Sequence, residues 1–482
     1  MKLGRIADIL GASAPAEAES LEIADLAYDS RQVTAGSLFF CVPGAVTDGH
    51  LFAKQAVTAG AIALVCEREV QTVVPQLIVK DLRRAMALVA NDFFGRPSAK
   101  LSLAGVTGTN GKTTTVYMLD AIFRAAGDVS GLVSTIERRI GSKIRPAPRG
   151  TPEAIDLQRL LSEMLSAGVA RCAVEVTSEG IAQGRTDETD FDVAVFTNLS
   201  QDHLNFHHTM ENYYLAKRFL FTDLAHAAAV SVNDEWGRRL ASEAGIPVTT
   251  FGTRKADLIA EDMQLGGKGS SFRAAGRGLD IEIHIRIPGA FNVMNALGAA
   301  AAANILGIAP GDIASGLESL AGVPGRFEKV DARQPFAVIV DYAHTPDGLA
   351  EVLAAARGLG PGRVIAVFGC GGDRDAGKRP LMGEAAGRGA DLVFATSDNP
   401  RSEDPLQILR EIEKGLAESP PPLGYEIISD RAEAIRRALG EARDGDVVVI
   451  AGKGHETGQE FADRMIDFDD RLVAAEVLHE MQ

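Results

Sequence analysis

The sequence predicts an α/β protein built from three domains. Its 482 residues are too many for one hydrophobic core, since a domain usually holds about 100 to 200 residues. Short apolar stretches alternate with helical ones through most of the chain, a pattern typical of sheets covered by helices. Turn-rich segments at 95–98 and 322–325 interrupt this alternation. We therefore expect domains at 1–97, 98–326 and 327–482.

The first and smallest domain is predicted to be α/β. Residues 37–42, 61–65 and 76–79 are rich in β-branched and aromatic side chains and predict strands. Residues 52–59 carry a helical pattern and separate the first two strands, so strands and helices alternate here as well.

The second domain is predicted to contain a mostly parallel sheet of the phosphate-loop type. A strand at 101–106 leads through a glycine-rich loop into a helix at 113–126, which Gly127 ends. Further apolar strands are expected at 173–176, 193–197 and 228–232. Residues 270–287 alternate instead, with four isoleucines on one side, and predict an antiparallel hairpin. A helix at 292–306 closes the domain.

The third domain is predicted to be a second, Rossmann-like α/β sheet. Five apolar strands alternate with helical segments, at 337–340, 364–368, 392–395, 425–428 and 447–450. The glycines of 369–372 lack the Gly-x-Gly-x-x-Gly spacing of a dinucleotide-binding turn. The absence of that spacing argues against a dehydrogenase.

Composition argues against several classes of protein. The 49 Lys and Arg residues against 65 Asp and Glu give a net charge of -16, which would repel nucleic acid. No stretch reaches the roughly 20 apolar residues of a membrane span, so we expect a cytoplasmic protein without membrane contact. The four cysteines form no Cys-x-x-Cys pair and are expected to be buried free thiols.

Residues 105–115, GVTGTNGKTTT, predict a phosphate-binding loop. The strict pattern Gly-x-x-x-x-Gly-Lys-Ser/Thr is missed, because Val106 occupies the place of its first glycine. Backbone amides would nevertheless converge at a helix N-terminus, which favours an anion, with Lys112 reaching the phosphates and Thr113 binding magnesium. The expected ATP-binding residues here are Gly108, Thr109, Asn110, Gly111, Lys112, Thr113 and Thr114. The alternative is a glycine-rich turn with a solvated lysine.

Two further segments could supply metal ligands. Glu175 ends a predicted strand among apolar residues and is the first candidate for a magnesium ligand, a helix-capping carboxylate being the alternative. Asp202 and His203 follow another strand, where a metal ligand and a structural histidine are equally plausible.

Seven motifs in a fixed order carry a resemblance to a known family. They are GTNGKTTT, TNLSQDHL, GAFNVMNAL, VDYAHTPDGL, GCGGDRDAGKRPLM, SDNPRSEDP and AGKGHE. Together they resemble the Mur ligases, ATP-dependent enzymes that form amide bonds in peptidoglycan assembly, and the resemblance covers nearly all of the chain. The last four motifs are similar to those of the branch that adds the third residue of the stem peptide.

The resemblance implies a reaction in which ATP activates a carboxylate. The acid attacks the γ-phosphate to give an acyl phosphate, and an amine then displaces phosphate. The reactants would be ATP with Mg²⁺, UDP-N-acetylmuramoyl-L-alanyl-D-glutamate and meso-2,6-diaminopimelate. The protein, expected to be a monomer, would mainly neutralise charge and align reactants, without a nucleophile of its own.

The catalytic candidates are Lys112, His203 and Lys217. By resemblance, Thr113 and Glu175 bind one magnesium ion and His203 binds a second. Lys217 matches a lysine that the family carbamylates to N6-carboxylysine, which would help to hold the second ion. From its sequence context alone, Lys217 would be a solvated helical lysine.

Five residues beyond the loop match family positions near the nucleotide. Asn292 and Asn295 match a helix near the adenine, and Arg326 matches a residue that meets phosphate. Asp341 and His344 match the contribution of the third domain. Taken singly, these residues would be explained by a helix cap, a surface arginine and a turn.

The muramoyl dipeptide is expected to bind to the first two domains. By resemblance, its site consists of Ser30, Arg31, Thr151, Thr177, Gln183 and Arg185. Two departures from the family pattern lie in this region. Arg149 and Gly150 replace an asparagine and a threonine, and Glu179 replaces a histidine.

Residues 398–401, Asp-Asn-Pro-Arg, predict the incoming amino acid. In the family this motif marks users of diaminopimelate, whereas users of lysine replace the arginine. The planar guanidinium of Arg401 suits a carboxylate at the far end of the substrate, a surface arginine after a turn being the alternative. The residues expected to bind diaminopimelate are Arg379, Asp398, Asn399, Pro400, Arg401, Gly452 and Glu456.

Other functions stay open from the sequence. A lysine-adding homologue or a ligase resembling folylpolyglutamate synthetase would use the same loop. A nucleotide-driven switch or transport subunit would hydrolyse ATP without consuming an amine. The arginine-containing motifs of the third domain favour a ligase.

Overall fold

The structure, a computed structural model, describes residues 1–44 and 47–481. The chain forms two units. The first unit consists of Met1–Gly105, Asp128–Asp192 and Phe219–His226. The second unit consists of Val106–Gly127, Val193–Arg218 and Ala227–Gln482. The chain passes from the first unit to the second between Gly105 and Val106, inside one strand.

The N-terminal region has a four-stranded parallel sheet. Its elements are α1 Leu3–Leu10, β1 Asp25–Ala27, β2 Ser37–Phe40, α2 Ala53–Ala59, β3 Ala61–Cys66, β4 Gln76–Ile78 and α3 Leu82–Phe93. The strands pair in the order β1-β2-β3-β4. Leu38, Phe39, Leu64 and Leu77 belong to its buried core. The three predicted strands and the helix at 52–59 are confirmed.

The middle of the chain contributes parallel strands to both units. Its elements are β5 Ser102–Thr107, α4 Lys112–Ala125, β6 Ser130–Val133, β7 Glu137–Ile140, β8 Lys143–Pro146, α5 Ala154–Ser166, β9 Arg171–Glu175, α6 Ser178–Ala182, β10 Val193–Phe196, α7 Leu204–His207, α8 Met210–Phe219, β11 Ala228–Ser231, α9 Glu235–Glu243, β12 Val248–Gly252, β13 Leu258–Gly266, β14 Gly269–Gly276, β15 Leu279–Ile285, α10 Ala290–Ile305 and α11 Pro310–Ser319. In the first unit β6 pairs parallel with β9 and antiparallel with β7. In the second unit β10 to β13 are parallel.

The predicted hairpin at 270–287 is confirmed as β14 and β15, and it has a third antiparallel strand, β13. Six consecutive residues of β13, from Glu261 to Gly266, are exposed. The strand therefore lacks the apolar alternation that identifies a half-buried strand in a sequence.

Helix α4 packs closely against other helices of the second unit. Gly316 of α11 approaches it so closely that a Cβ there would lie 2.5 Å from Ile122 Cα. Alanines 299–303 of α10 are all buried, and their small side chains let this helix lie close to its neighbours. The N-terminus of α4, where the glycine-rich loop ends, is thereby fixed.

The C-terminal region forms a six-stranded sheet. Its elements are β16 Glu328–Lys329, β17 Ala337–Asp341, α12 Pro346–Arg357, β18 Val364–Phe368, α13 Lys378–Gly389, β19 Leu392–Ala395, α14 Pro405–Glu418, β20 Tyr425–Ile427, α15 Arg431–Glu441, β21 Val447–Ala451, β22 Gly458–Glu460, β23 Met465–Asp467 and α16 Asp470–Glu480. The order is β16-β17-β21-β18-β19-β20, and all strands but β16 are parallel. The five predicted strands are confirmed. Segments 342–345, 369–377, 396–401 and 452–456 all leave from carboxyl ends of these strands, where open α/β sheets bind ligands.

All four cysteines are buried and carry free thiols, as expected. The Sγ atoms of Cys41 and Cys66 lie 3.5 Å apart. Across residues 1–44 and 47–481, no helix combines the length and the apolar character that crossing a bilayer requires.

Candidate active site

The glycine-rich loop between β5 and α4 depends on two glycines. Gly108 has φ 150° and Gly111 has φ 85°, backbone conformations that residues with side chains disfavour. A Cβ at Gly108 would lie 1.9 Å from Thr197 Oγ1, and one at Gly111 would lie 2.2 Å from Asn295 Oδ1. Only glycine fits at either position.

Neighbouring polar groups hold the loop in place. Asn110 N donates to Asn198 Oδ1 at 2.9 Å, and Thr197 Oγ1 donates to Asn110 O at 2.6 Å. Thr109 Oγ1 donates to Ser200 O at 3.1 Å. The loop is therefore preorganised by bonds to the segment that follows β10.

Two cations converge on this loop. Lys112 Nζ donates to Gly108 O at 3.0 Å and to Thr109 O at 2.8 Å. Arg326 Nη2 donates to Thr113 Oγ1 at 3.1 Å. These charges and the N-terminus of α4 favour a polyanion at one place, as the sequence predicts.

Lys217, on α8, is buried rather than solvated, with only 1% of its surface exposed. Its Nζ donates to Gly108 O at 2.7 Å and lies 4.6 Å from the centre of the Tyr213 ring. The interpretation from sequence context alone, a solvated lysine, is wrong here, and the carbamylation implied by the resemblance stays a prediction. Burial follows from the loop carbonyl, 109 positions away, and from the aromatic face of Tyr213 one turn earlier on the same helix.

Asp202 lies beside one lysine and two histidines of the second unit. Its buried carboxylate lies 2.8 Å from Lys378 Nζ and 3.4 Å from Nε2 of both His203 and His344. Burial alone would raise the pKa of Asp202, but the charges of Lys378 and His203 and the nearby His344 lower it well below its usual range. Lys378 is a residue of this site that sequence reasoning missed, although it lies within the GCGGDRDAGKRPLM motif.

A cavity of about 400 Å³ lies beside the loop. Its walls include Asn198, Asn233, Asp234, Phe291, Met294 and Asn295. Asn295 Nδ2 donates to Asn292 Oδ1 at 3.1 Å, and Asn292 Nδ2 donates to Pro288 O at 2.7 Å. Cavities of this size and mixed polarity suit a small heterocyclic ligand.

Asp341 and His344 lie close to the loop cations, where β17 ends. Asp341 accepts the backbone N–H groups of Phe327 and Ala343, each at 2.6 Å. Burial raises the pKa of Asp341 although Arg326 opposes the rise. His344 Nδ1 lies 2.8 Å from Tyr342 O. The structure therefore gives Asp341 a backbone-bracing role, and its contact with the nucleotide stays a prediction.

Arg401 lies in the segment that follows β19, and its backbone is left-handed, with φ 52°. Its Nε donates to Glu460 Oε2 at 3.0 Å and its Nη1 to Gly372 O at 2.7 Å. Its backbone N–H also donates to Glu460 O at 3.0 Å. The side chain is thus oriented by two other segments.

Arg379 is buried between two carboxylates. Its Nη2 donates to Glu403 Oε1 and its Nη1 to Glu411 Oε2, both at 2.8 Å. A contact between Arg379 and a substrate carboxylate stays a prediction, and it requires one of these ion pairs to open.

The remaining residues of the expected acceptor site form one network. Asn399 Nδ2 donates to Glu456 Oε2 at 2.8 Å. Lys453 Nζ donates to Asn399 Oδ1 at 2.9 Å and to the same Glu456 oxygen at 3.0 Å. A Cβ at Gly452, where φ is 116°, would lie 2.6 Å from Asp398 Oδ2. Pro400, between Asn399 and Arg401, accepts Glu403 N through its carbonyl oxygen at 3.1 Å. Lys453 is the second residue that sequence reasoning missed.

In the first unit, two threonines lie at the end of β9. Thr151 Oγ1 donates to Glu175 O at 3.0 Å, and Thr177 N donates to Thr151 Oγ1 at 2.9 Å. The Glu175 carboxylate is buried and accepts Thr135 N at 3.1 Å. Thr177 also caps α6 by accepting Gly180 N.

Three arginines surround the buried Glu153 of the first unit. Its carboxylate lies 2.8 Å from Arg149 Nη1, 3.0 Å from Arg185 Nε and 3.2 Å from Arg83 Nη1. Arg185 also donates to Gln183 Oε1 at 2.6 Å. The arginine that departs from the family pattern is therefore paired within the protein, and the cluster keeps an excess of positive charge.

Ser30 and Arg31 form a helical turn capped by Asp29. Arg31 Nη2 lies 2.7 Å from Asp29 Oδ2, and 82% of the arginine side chain is exposed. Nothing in this geometry distinguishes a binding residue from a surface turn, so their role stays a prediction.

The residues expected to hold magnesium have suitable chemistry. Within the described part of the chain, no group of three or more His, Cys, Asp or Glu side chains could hold a metal by itself. A magnesium ion on a nucleotide takes most of its oxygens from phosphates and water, so one or two protein ligands suffice. The Thr113 hydroxyl and the Glu175 carboxylate are ligands of the type it prefers.

Three stretches of the chain match descriptions of one protein family. Residues 22–94 match "Mur ligase family, catalytic domain", residues 106–303 match "Mur ligase middle domain" and residues 325–454 match "Mur ligase, glutamate ligase domain".

Individual proteins are similar over the whole length. A protein of Geobacillus thermodenitrificans named UDP-N-acetylmuramoyl-L-alanyl-D-glutamate–2,6-diaminopimelate ligase is 47% identical over 468 residues, 95% of each chain. A solved structure of a ligase with that name is 31% identical, with a TM-score of 0.69 over 100% of this chain and 99% of its own. Folylpolyglutamate synthase of Mycobacterium tuberculosis, solved with ADP and AMPPCP, shares the fold at 18% identity and a TM-score of 0.64, over 77% and 92%.

Proposed function

The chain belongs to the Mur ligase family, and we propose that it is the ATP-dependent ligase that joins 2,6-diaminopimelate to UDP-N-acetylmuramoyl-L-alanyl-D-glutamate. The observation that carries this proposal is the 47% identity to a ligase of that name over 95% of both chains. The product would be a precursor of peptidoglycan. Folylpolyglutamate synthase is a much more distant relative, and its likeness concerns the fold.

The proposed reaction overcomes the poor reactivity of a carboxylate toward amines. The glutamate carboxylate of the dipeptide attacks the γ-phosphorus of ATP, and ADP leaves to give an acyl phosphate. The amine of diaminopimelate then attacks the acyl carbon, phosphate leaves with the bonding electrons, and the amine loses a proton. One ATP is converted to ADP and phosphate for each amide formed.

The protein would contribute charge and position. Lys112, Arg326 and the amides of 108–113 would neutralise the phosphate oxygens as charge shifts between them. Magnesium, held by Thr113 and Glu175, would supply further positive charge at the phosphates. Asn292 and Asn295 would place the adenine in the cavity beside the loop.

We propose in addition that Lys217 is carbamylated. Carbon dioxide adds to the neutral lysine amine, a proton is released to solvent, and the product is a carbamate, an anion in place of a cation. Burial disfavours the ammonium relative to the neutral amine, which is the form that reacts. The N6-carboxylysine would hold a second magnesium ion together with His203.

The amino-acid acceptor would be the meso isomer of diaminopimelate, bound through Arg401, Arg379 and residues 398–400. The segments 1–97, 98–326 and 327–482 would bind the uridine nucleotide, ATP and the amino acid, respectively. Thr151, Thr177, Gln183 and Arg185 would contact the dipeptide. We propose a cytoplasmic monomer, since ATP and the nucleotide-linked substrate are both cytoplasmic compounds.

A single assay tests the proposal. The purified chain is incubated with ATP, Mg²⁺, the muramoyl dipeptide and either meso-diaminopimelate or L-lysine, and products are identified by mass spectrometry. We expect a tripeptide and stoichiometric ADP with diaminopimelate alone. Equal use of L-lysine would overturn the acceptor assignment. ADP release without any acceptor would indicate a nucleotide-driven switch instead.

A further inference from the structure

A buried lysine lies inside the acceptor site without a role in the reaction proposed above. Lys453, in the segment after β21, has a side chain with 0% of its surface exposed. Its Nζ donates to Asn399 Oδ1 at 2.9 Å and to Glu456 Oε2 at 3.0 Å. Both acceptors belong to the expected diaminopimelate site.

Glu456 is held through only one of its two carboxylate oxygens. Oε2 accepts both Lys453 Nζ and Asn399 Nδ2, the latter at 2.8 Å. Oε1 accepts no hydrogen bond from the residues that the structure describes. Since 31% of the Glu456 side chain is exposed, the carboxylate is open to a ligand.

The charges around Lys453 leave the network short of one cation. Asp398, Asp470 and Glu456 are negative, whereas Lys453 and Arg431 are positive. Arg431 forms a fully buried ion pair with Asp470, in which Nη2 and Oδ2 lie 2.7 Å apart. Burial would raise the pKa of Asp398, but Lys453 and Arg431 lower it, so this carboxylate stays charged. An added ammonium would balance the network.

We propose that Lys453 is a positioning residue for the amino-acid acceptor, which fixes Oε2 of Glu456 and so presents Oε1 to the ammonium at the far end of diaminopimelate. Lys453 acts through Glu456 and Asn399 and does not touch the substrate. The inference rests on the proposed function. The proposed role of Lys453 concerns only the far end of the acceptor, because only an acceptor with a second ammonium gains from the orientation of Glu456.

The test compares meso-diaminopimelate with 2-aminopimelate, which lacks the distal amino group. In Lys453→Met the ammonium is lost and most of the side-chain volume is kept. We expect the KM for meso-diaminopimelate to rise about 30-fold and kcat to change less than about threefold. Turnover of 2-aminopimelate should change little, so the ratio of the two kcat/KM values falls at least about tenfold. An equal loss for both acceptors would overturn the inference.

A double-mutant cycle tests whether Lys453 acts through Glu456, and Lys453→Gln replaces Lys453→Met in the cycle if the methionine variant is poorly folded. Glu456→Gln should lower the ratio by itself, and adding Lys453→Met should lower it no further, because both residues act on one interaction. Additive losses would contradict the inference. Lys453→Gln serves as the second neutral variant, with the same expected ratio. Lys329→Met, at a lysine whose side chain is 60% exposed, is the matched control and should keep the wild-type ratio.

Assays of the wild-type enzyme distinguish a failure of the proposed function from a failure of the role proposed for Lys453. If it forms no amide with diaminopimelate, the proposed function fails. If it forms the amide and prefers diaminopimelate, but Lys453→Met keeps that preference with an unchanged KM for ATP, only the role of Lys453 fails.

Discussion

The phosphate loop and the proposed amino-acid site differ in how their positive charges are compensated. At the loop, Lys112 donates to two backbone carbonyls, which leaves its positive charge available to a ligand. In the amino-acid site, Arg379 and Arg401 are paired with carboxylates of the protein itself. The first arrangement suits a polyanion that brings its own compensating charge. The second suits a zwitterion, whose two charges can exchange partners with existing ion pairs.

The largest effect is expected from removing a loop cation. Lys112→Ala should lower the turnover of the full reaction by about 10³-fold, because a preorganised charge is lost where phosphate charge develops. The measurement is ADP release in the presence of both other substrates, with the unfolding midpoint as a check on folding. A variant that keeps a tenth of the wild-type rate would mean that the loop does not act through positive charge.

The buried pair of Asp202 and Lys378 tests whether paired charge serves stability in the C-terminal part of the site. Asp202→Asn should cost about 3 kcal/mol, since it leaves a buried cation without its carboxylate. Urea unfolding at pH 7 measures the difference.

The pH dependence of this pair has a definite sign. The pKa of Asp202 is lowered in the folded protein, so its stabilisation is present well above the ordinary value of 3.8 and is lost as the pH falls through the folded value. The difference in free energy of unfolding between wild type and Asp202→Asn should therefore become smaller in acid. A difference that does not change with pH would show that the pair contributes packing alone.

A matched pair of glycines isolates the steric demand of the loop. Gly111 and Gly127 both have φ 85°, but only Gly111 has Asn295 where a Cβ would lie. Gly111→Ala should weaken ATP binding about 100-fold, corresponding to about 2.7 kcal/mol of steric conflict. Gly127→Ala should cost about 1 kcal/mol of stability and leave ATP binding unchanged. Calorimetric titration with a nonhydrolysable ATP analogue distinguishes the two variants. Equal affinities of both variants for the analogue would show that any effect comes from the left-handed backbone, which the two glycines share, and not from the contact with Asn295.

The smallest effect is expected at Arg401. Arg401→Lys keeps the charge but loses the planar fork, so the KM for diaminopimelate should rise about tenfold while the KM for ATP stays constant. Steady-state kinetics with each substrate varied in turn measures this. Arg410→Lys, at an arginine whose side chain is 58% exposed, is the control. A change confined to the KM for ATP would refute the assignment of Arg401 to the acceptor.

Sequence patterns located the elements that are buried on both faces. The strand at 364–368 matches its predicted bounds, because five apolar residues between turns allow little else. Strand β13 was missed because most of it is exposed and polar. The loop was identified despite the missing first glycine, since the strand before it and the helix after it supply the context.

Side-chain partners could not be derived in the same way. Lys378 pairs with a residue 176 positions away and Lys453 with one 54 positions away, so no local pattern contains either contact. The burial of Lys217 depends on the carbonyl of Gly108, 109 positions away, so its sequence context gives no sign of it. Such pairings follow from the assembled fold, which brings distant segments together.

The left-handed backbone of Arg401 has a consequence for how this protein can evolve. A residue other than glycine at φ 52° carries strain of about 1 kcal/mol, and glycine or asparagine would relieve it. A laboratory selection for heat tolerance alone would therefore favour such replacements. Under the proposed function the same replacements should weaken the binding of diaminopimelate, so a selection for ligase activity should retain the arginine.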